Sequence, residues 1–316
     1  MKIKFVDGFF YEEKTLSILR ELFENVEVSD DPDFVFCSVG YKAERFNYEC
    51  ARVFITGENI VPDFNSVDYA IGFNNIEFGD RYKRIPLFKF YTDDYQLALD
   101  KHINYDEGAL STKKFCNFIY SNGSNVMPER DNFFELLSRY KTVDSGGRHL
   151  NNIGYFVGDK LAFQSQYKFS IAFENASSIG YTTEKILQAF SAGTVPIYYG
   201  NPEIAKDFNP KSFVNCHDFS SFGEVVERVK ELDLDIEQYS EIMRQPIFND
   251  LEKNRDPIVE YREYLYYICS QNKNDAIRRC NDGWSKTIQN QMKDYFKYNR
   301  TVENGGIRSF LIKALL

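Results

Sequence analysis

Short apolar runs separated by amphipathic stretches dominate the first third of the chain. Strands are predicted at 3–10, 33–39, 52–58 and 68–73, and a helix at 13–24, where apolar residues recur at helical spacing. Strands that are apolar on both faces and alternate with helices indicate a parallel sheet covered on both sides. Ligands bind at the carboxyl ends of such strands, so Gly57 and Glu58 are candidate site positions. Asp7 is a third candidate, either for binding an acceptor hydroxyl or for forming the turn before Gly8.

The same alternation resumes after the polar stretch 98–114, which predicts a linker. Strands are then predicted at 114–122, 141–146, 170–174, 194–200 and 212–216, and helices at 129–140, 160–169, 183–192 and 220–232. The predicted fold is therefore α/β, with two Rossmann-like, doubly wound domains facing each other across a cleft. The predicted boundaries are 1–108, 109–250 and a helical C-terminal segment, 251–316, for which packing back on the first domain is one arrangement.

Composition narrows the classes of function. The 316 residues suit two domains, and 43 % hydrophobic content supplies cores for both. A net charge of −9 argues against a nucleic-acid partner, which would need clustered cations. Six scattered cysteines, without zinc spacing, predict free thiols in a reducing cytoplasm. His102, His149 and His217 lack the neighbours of a triad or a metal site, so structural roles are expected.

The C-terminal stretch leaves two arrangements open. From Gln271 onward the chain carries nine Lys or Arg against four Asp or Glu. Such a basic, amphipathic segment either docks on the protein or lies on an anionic membrane surface. The N-terminal "MKIKFVDGFF" predicts a first strand, and no apolar run approaches the ~20 residues of a membrane span. We expect a cytoplasmic protein, with peripheral contact at the inner face of the membrane as the alternative for the tail.

The segment "FENASSIGYTTEKILQAFSAG" (173–193) carries the chemistry of the second half. Thr183 is the predicted N-cap of a helix, and Lys185 in its first turn is unfavourable against the helix dipole unless an anion is present. A helix N-terminus after a Ser/Gly loop offers free N–H groups to an anion. With Lys185 and the hydroxyl of Tyr181 it would hold a diphosphate without metal, and Glu184 would accept hydrogen bonds from a ribose. The alternative is a capped surface helix with solvated charges.

Residues 173–219 resemble the signature segment of the α1,3/4-fucosyltransferases, glycosyltransferase family ten. The matching blocks are "FENASS", "GYTTEK", "AGTVPIYYG" and "DFNPKSF", with Ala176 at a position where Ser is usual. Upstream, 114–122 and 129–152 resemble the strand and helix that precede the signature, and 53–59, 68–73 and 81–86 resemble the acceptor-side half. The resemblance spans roughly residues 50 to 220. It is strongest to the bacterial Lewis-antigen fucosyltransferases.

The resemblance implies a GT-B fold, with GDP-fucose in the C-terminal domain and the acceptor glycan in the N-terminal one. It implies inversion at the transferred sugar and no metal in the chemistry. "DPD" (31–33) and "TDD" (92–94) lie outside the predicted donor half and are interpreted as loop residues, with a metal-binding motif as the alternative. It assigns the general base to Glu58, the diphosphate to Arg130 and Lys185, the ribose to Glu184, and further donor-site positions to Asn175 and Tyr181.

The expected activity is transfer of L-fucose from GDP-β-L-fucose to the 3-OH of GlcNAc or Glc in a β-galactoside such as N-acetyllactosamine. The products would be Lewis x-type glycans, as in a lipopolysaccharide O-antigen. One alternative is an α1,4- or dual α1,3/4-fucosyltransferase on type 1 chains. Another is a non-catalytic protein that binds glycans or nucleotides. The presence of a base at Glu58 together with Arg130, Glu184 and Lys185 counts against the last.

Overall fold

The computed structural model describes residues 1–40, 42–103, 108, 112–124, 126–250 and 256–304. Its contacts divide the chain into two compact units. The first unit comprises Met1–Gly72, Ile76–Ile85 and the C-terminal part from Val259 onward. The second comprises Phe73–Asn75 and Pro86–Ile258.

The first unit is built on a parallel sheet of six strands, ordered β2-β1-β3-β4-β5-β6. The strands are β1 Lys2–Val6, β2 Glu27–Val28, β3 Phe34–Cys37, β4 Ala51–Ile55, β5 Tyr69–Gly72 and β6 Tyr82–Arg84. Helix α1, Glu12–Leu22, connects β1 to β2. Every residue of β3, β4 and β5 is buried, as expected for strands covered on both faces. The predicted parallel sheet is thereby confirmed for this half.

The second unit contains a parallel sheet of five strands, ordered β11-β10-β9-β7-β8. The strands are β7 Lys114–Phe118, β8 Val143–Ser145, β9 Tyr167–Phe173, β10 Val195–Tyr199 and β11 Val214–Asn215. The helices are α2 Thr92–Ile103, α3 Glu129–Ser138, α4 Lys160–Gln164, α5 Glu184–Ser191, α6 Phe222–Leu234 and α7 Ile236–Met243. Strand β9 is central, so the loop that leaves it lies at the middle of the carboxyl edge, where ligands bind in sheets of this kind.

Three predicted elements differ from the structure. The polar stretch 98–114 is not a linker at its start, because α2 runs to Ile103 and its Tyr95 and Ala98 pack with Ile186 and Phe190 of α5. The remainder of that stretch, apart from 108 and 112–114, lies outside the described residues. The unit boundary at 85/86 also differs from the boundary predicted after residue 108.

The other two differences concern element length. Strand β1 ends at Val6 rather than near residue 10, because Asp7 adopts a left-handed backbone conformation (φ 56°) that turns the chain. Helix α4 ends at Gln164, whereas 160–169 was predicted, because the chain from Tyr167 onward joins β7 and β10 as the central strand.

The described part of the C-terminal stretch docks on the first unit. It contains α8, Val259–Cys269, and α9, Gly283–Asn304, and the Tyr261 hydroxyl of α8 lies 2.6 Å from Oγ1 of Thr15 on α1. Four of the basic residues are paired with acids of the same unit: Lys273 with Asp33, Arg278 with Asp80, Arg279 with Asp68, and Lys286 with Glu49. None of the described helices combines the length and apolar character that crossing a bilayer requires. The docked arrangement therefore holds for this part, and 305–316 lie outside the described residues.

Candidate functional site

The loop between β9 and α5 is organised by Glu174, a completely buried carboxylate directly after the central strand. Its Oε1 accepts a hydrogen bond from the backbone N–H of Thr183 (2.7 Å). Its Oε2 accepts from the Thr183 hydroxyl (2.6 Å) and from Nζ of Lys185 (3.1 Å). Since the ammonium of Lys185 also donates to Oγ1 of Thr183 (2.8 Å), the Thr183 hydroxyl proton points to Glu174. Glu174 is therefore an acceptor at both oxygens, which suits the ionised form.

Thr183 is the N-cap residue of α5, as predicted, but its side chain does not cap the helix. Its hydroxyl is committed to Glu174 instead, so the N–H groups of the first turn are not capped by that side chain. The predicted N-cap position is confirmed, and the Thr183 side chain makes no capping hydrogen bond. The consequence is a helix start that retains its capacity for an external anion.

Charge around this helix start is unusually concentrated for a buried region. Burial alone would lower the pKa of Lys185, but the carboxylates of Glu174 and Glu184 outweigh it and raise that pKa. Burial raises the pKa of Glu174 despite the charge of Lys185. The Lys185 ammonium lies 3.8 Å from Oε1 of Glu184, and its side chain is 14 % exposed. Lys185 is therefore a fixed cation throughout the physiological pH range.

Arg130 lies in the first turn of α3, where the sequence places it, and its side chain is fully buried. Nη2 donates to the backbone carbonyl of Asn122 (2.6 Å), and the guanidinium lies 4.3 Å from the ring centroid of Tyr120. Nε has no hydrogen-bond partner within the described part of the chain, although Oδ1 of Asp131 is 3.5 Å away. Stacking and the Asn122 bond hold the guanidinium plane in one orientation, with donor capacity left over.

Close backbone packing fixes the loop under Arg130. A Cβ atom on Gly147 would lie 2.0 Å from the carbonyl oxygen of Tyr120, so only glycine permits the contact. Nε2 of His149 donates to Oδ2 of Asp131 (2.8 Å), which ties the same loop to α3. His217 stacks on Tyr199, with ring centroids 4.5 Å apart. Both histidines therefore have the structural roles predicted for them; the side chain of His102 lies outside the described set.

An open pocket of about 720 Å³ lies at this carboxyl edge. Its walls come from the segments after β7 and β9 and from the beginnings of α3, α4 and α5. The lining residues are Ile119, Tyr120, Ser121, Asn122, Arg130, Lys160, Gln164, Ile171, Asn175, Glu184 and Lys185. The structure thus brings together four predicted site residues, Arg130, Asn175, Glu184 and Lys185, around one cavity.

Asn175 and Tyr181 take different places near this pocket. Asn175 is half-buried at the wall, and its backbone carbonyl accepts from the N–H of Met127, which anchors the approach to α3. Tyr181 is buried, with its ring 4.8 Å from that of Phe73. Gly180 (φ 85°) allows this, because a Cβ there would lie 2.2 Å from the Phe73 carbonyl oxygen. Tyr181 contributes electrostatically to Lys185 but does not line the cavity.

Glu58 belongs to the first unit and follows β4 at the carboxyl edge of that sheet. Its side chain is exposed, and its backbone N–H donates to Oγ1 of Thr56 (3.0 Å). Asp7, at the end of β1, is buried instead. Its carboxylate accepts from the backbone N–H of Glu44 (2.7 Å) and from the guanidinium of Arg45 (2.8 Å). Asp7 therefore holds the turn, and the interpretation as an acceptor-binding residue is not supported.

Three residues of this region were missed by the sequence interpretation: Glu174, Lys160 and Gln164. Glu174 has a signal in the sequence, since an acid directly follows a largely apolar strand. Lys160 and Gln164 have none, because their place at the pocket depends on how α4 packs beside α5. In the described ranges no group of three or more His, Cys, Asp or Glu side chains is arranged to hold a metal ion. The expected independence from metal stays a prediction.

Two parallel sheets covered by helices, with a cation-lined pocket at the carboxyl edge of the second, are the architecture found in glycosyltransferases of the GT-B class. The profile of the α-(1,3)-fucosyltransferase FucT N-terminal domain matches residues 3–91. The profile of the C-terminal part of glycosyltransferase family 10 (fucosyltransferase) matches residues 110–269. The chain belongs to glycosyltransferase family 10, the fucosyltransferases.

Individual relatives agree with this assignment. The chain is 39 % identical to the α-(1,3)-fucosyltransferase FucT of Helicobacter pylori over 252 residues, covering 70 % of this chain and 52 % of the relative. It is 28 % identical over 222 residues to the human GDP-fucose protein O-fucosyltransferase 3, covering 65 % of this chain and 46 % of the relative. The chain thus spans about half the length of the curated relatives it matches.

Solved structures cover more of the fold. The crystal structure of an α1,3-fucosyltransferase superposes with a TM-score of 0.76 at 30 % identity, covering 90 % of this chain and 93 % of that one. A crystal structure of α1,3-fucosyltransferase with GDP-fucose superposes with a TM-score of 0.70 at 30 % identity, covering 89 % and 93 %. The predicted GT-B fold class is confirmed.

Proposed function

We propose that this chain is an α1,3-fucosyltransferase that uses GDP-β-L-fucose as donor. The observation that carries the proposal is the pocket in the second unit, where Lys185 is held by Glu174 and Arg130 is stacked on Tyr120. Two oriented cations at the carboxyl edge of the sheet suit a nucleoside diphosphate. The family relatives named α1,3-fucosyltransferases supply the linkage and the donor.

In the proposed reaction the acceptor 3-hydroxyl oxygen attacks C1 of fucose and the bond from C1 to the diphosphate oxygen breaks. The electron pair of that bond leaves with GDP, and the hydroxyl proton passes to the carboxylate of Glu58. Attack opposite the leaving group inverts the β-linked donor to an α-linked product. The exposed position of Glu58 after β4 leaves its carboxylate accessible to an acceptor.

Lys185 and Arg130 are proposed to stabilise the negative charge that grows on the diphosphate as the C1–oxygen bond breaks. Fixed cations act most strongly where they require no reorganisation during the reaction. The hydrogen bonds of Lys185 to Glu174 and Thr183, and that of Arg130 to Asn122, provide such fixation. These cations are the basis for proposing that no metal is needed. Glu184 is proposed to bind the ribose diol and Asn175 to complete the wall of the donor site. Tyr181, which does not line the cavity, is proposed to act on the site through its electrostatic interaction with Lys185.

We propose as acceptor a β-galactoside with GlcNAc or Glc at its reducing side, such as N-acetyllactosamine, giving Lewis x-type products. Similarity to a relative named as a protein O-fucosyltransferase makes a protein hydroxyl the second acceptor to test. A cytoplasmic location is part of the proposal. Four basic residues of the C-terminal segment are already paired with acids, so membrane contact would have to use the other basic residues of that segment.

The test is product formation from GDP-fucose and N-acetyllactosamine in the presence of EDTA, with the linkage determined by NMR. An α1,3-fucosylated product supports the donor, the linkage, inversion and metal independence together. An α1,4 product on a type 1 acceptor would correct the linkage and keep the donor. GDP binding without transfer to any glycan or protein acceptor would favour the non-catalytic alternative. Failure to bind GDP or GDP-fucose would overturn the proposal.

A further inference from the structure

Two side chains of α4 line the donor pocket and have no role in the mechanism proposed above. Lys160 and Gln164 are four residues apart on this short helix, so they lie on the same face. Both belong to the same cavity as Arg130, Glu184 and Lys185. One is a cation with three N–H donors, and the other carries a carbonyl acceptor.

The positions of Lys185, Glu184 and Lys160 along the pocket indicate which part of a bound nucleotide the α4 face would contact. On α5, Glu184 and Lys185 occupy the first turn, and Gln188, which accepts a hydrogen bond from Nζ of Lys160 (2.7 Å), lies one turn further along the helix. Burial would raise the pKa of Glu184, but the charges of Lys185 and Lys160 outweigh that effect and lower it. In the proposed function Lys185 meets the diphosphate and Glu184 the ribose. In a nucleotide the ribose separates the diphosphate from the base, so the next group along the wall, Lys160, faces the base.

The amide of Gln164 has a defined orientation. The side-chain NH₂ of Asn117 donates to the carbonyl of Phe169 (3.0 Å), which turns Oδ1 of Asn117 towards Gln164. An acceptor there requires the NH₂ of Gln164, and Nε2 lies 3.5 Å from Oδ1 of Asn117 and 3.4 Å from Oγ of Ser170. Gln164 is 4 % exposed, and its Oε1 has no hydrogen-bond partner in the described part of the chain. A buried carbonyl without a partner is costly, which marks it as a site for a ligand donor.

We propose that the α4 face formed by Lys160 and Gln164 selects guanine as the base of the donor nucleotide. The ammonium of Lys160 donates to the O6/N7 edge, and Oε1 of Gln164 accepts from N1–H or from the 2-amino group. Guanine offers this combination of acceptors and donors, whereas adenine carries an amino group in place of O6 and lacks N1–H. The inference rests on the proposed function, because it takes a nucleoside diphosphate in this pocket as given.

The present contacts of the two side chains are compatible with that role. Lys160 uses one donor on Oε1 of Gln188 (2.7 Å), and Gln188 in turn donates to Asp94 (3.0 Å), so the ammonium is held at the wall with further N–H groups for a ligand. Ile119 and Ile171 supply apolar surface in the same cavity for the faces of a base. Lys160 and Gln164 therefore need no further protein contacts to hold them in place when a base binds.

The test compares affinities for GDP, ADP and inorganic pyrophosphate by calorimetry on the full chain. Lys160→Met is expected to weaken GDP binding about tenfold, the usual loss for one charge-assisted hydrogen bond, and to leave ADP and pyrophosphate nearly unchanged. Gln164→Leu is expected to reduce the preference for GDP over ADP similarly. Lys160→Arg and Gln164→Glu keep a donor and an acceptor, so both should retain the preference. Lys230→Met, on the surface of α6, is the matched control.

The outcomes separate this inference from the proposed function. A wild-type chain that binds no GDP overturns both. A wild-type preference for GDP that persists in Lys160→Met and Gln164→Leu overturns only the role of α4. An equal loss of GDP, ADP and pyrophosphate affinity in Lys160→Met would place the lysine at the diphosphate and also overturn it. Thermal unfolding of each variant is measured alongside, and Gln164→Leu, which should reduce the preference for GDP over ADP, decides the question if Lys160→Met does not fold.

Discussion

The ammonium of Lys185 lies 3.1 Å from Oε2 of Glu174, a carboxylate that is completely buried at the end of the central strand. The same oxygen accepts the Thr183 hydroxyl, so one carboxylate positions both the helix start and the cation beside it. In this arrangement a buried carboxylate fixes the position of the cation that lines the pocket. Four predictions test this arrangement and other charged residues of the protein.

The first prediction concerns Glu174 itself. Glu174→Gln should lower the free energy of unfolding by about 3 kcal/mol, since removing one partner of a buried ion pair leaves the other uncompensated. Urea denaturation at pH 7 measures this, with the exposed Glu227→Gln of α6 as control. GDP affinity should also fall, because Lys185 loses its orienting bond. A change below 1 kcal/mol with unaltered GDP affinity would contradict the assigned role.

A second prediction separates the diphosphate from the nucleoside. Lys185→Ala should weaken GDP binding by about tenfold or more while changing guanosine binding little, because the proposed partner of the ammonium is the diphosphate. Calorimetry with both ligands measures the difference. Since the substitution leaves Glu174 buried without its cation, the double variant Lys185→Ala/Glu174→Gln is the control for folding. Equal losses for GDP and guanosine would mean that the helix start is structural only.

A third prediction concerns the general base. Glu58→Ala should abolish fucose transfer and leave GDP affinity nearly intact, since Glu58 is proposed to act on the acceptor proton alone. Initial rates with GDP-fucose and N-acetyllactosamine, together with GDP titration, measure the two effects. Glu77→Ala, another exposed glutamate of the first unit, is the matched control. Strongly weakened GDP binding in Glu58→Ala would show that this residue is misassigned.

A fourth prediction concerns acid stability. Asp233 is buried, which would raise its pKa, but hydrogen bonds from Lys168 (2.9 Å) and Lys141 (3.0 Å) outweigh burial and lower it. A carboxyl whose pKa is lower in the folded than in the unfolded state, where it is about 3.9, stabilises the fold above that pH. This contribution is lost as the pH falls through the folded-state pKa.

Asp233→Asn should therefore be destabilised relative to the wild type at pH 7, and the difference should shrink as the pH falls below about 4. Urea denaturation at a series of pH values measures the change, with the exposed Asp93→Asn of α2 as control. A difference that stays constant down to pH 3 would show that the two lysines do not depend on the Asp233 charge.

Much of the fold is predictable from apolar patterning. Strand β3 is apolar at every position and β4 at every position except Arg52, because both faces are covered, and the pattern alone indicates them. The short strands β2 and β6 and the boundary of α2 are not predicted, since their residues carry mixed polarity. For α2, the packing of Tyr95 against α5 partners decides the structure, and such contacts between distant segments leave no periodic signal.

The candidate site, like the fold, is predictable from the sequence only in part. Glu184, Lys185 and Thr183 are found from the sequence because a helix start has local chemistry that can be recognised. The role of Glu174 requires knowing that its carboxylate turns inward under Thr183. Arg130 is assigned by resemblance, whereas its stacking on Tyr120 appears only when β7 and α3 are placed together. Asp7 fails as a candidate because a distant arginine, Arg45, takes its carboxylate.

The three residues Phe73–Asn75 belong to the second unit, although the chain on either side of them belongs to the first. The ring of Phe73 packs on Tyr181, and its carbonyl closely approaches Gly180. A fragment that begins at residue 86 would therefore lack three residues of the second unit, including the one that packs on Tyr181. Hybrids that exchange N-terminal halves between relatives at that junction would transfer Phe73–Asn75 together with the acceptor half. Such exchanges would alter donor binding as well as acceptor choice, unless the tripeptide is matched to the recipient.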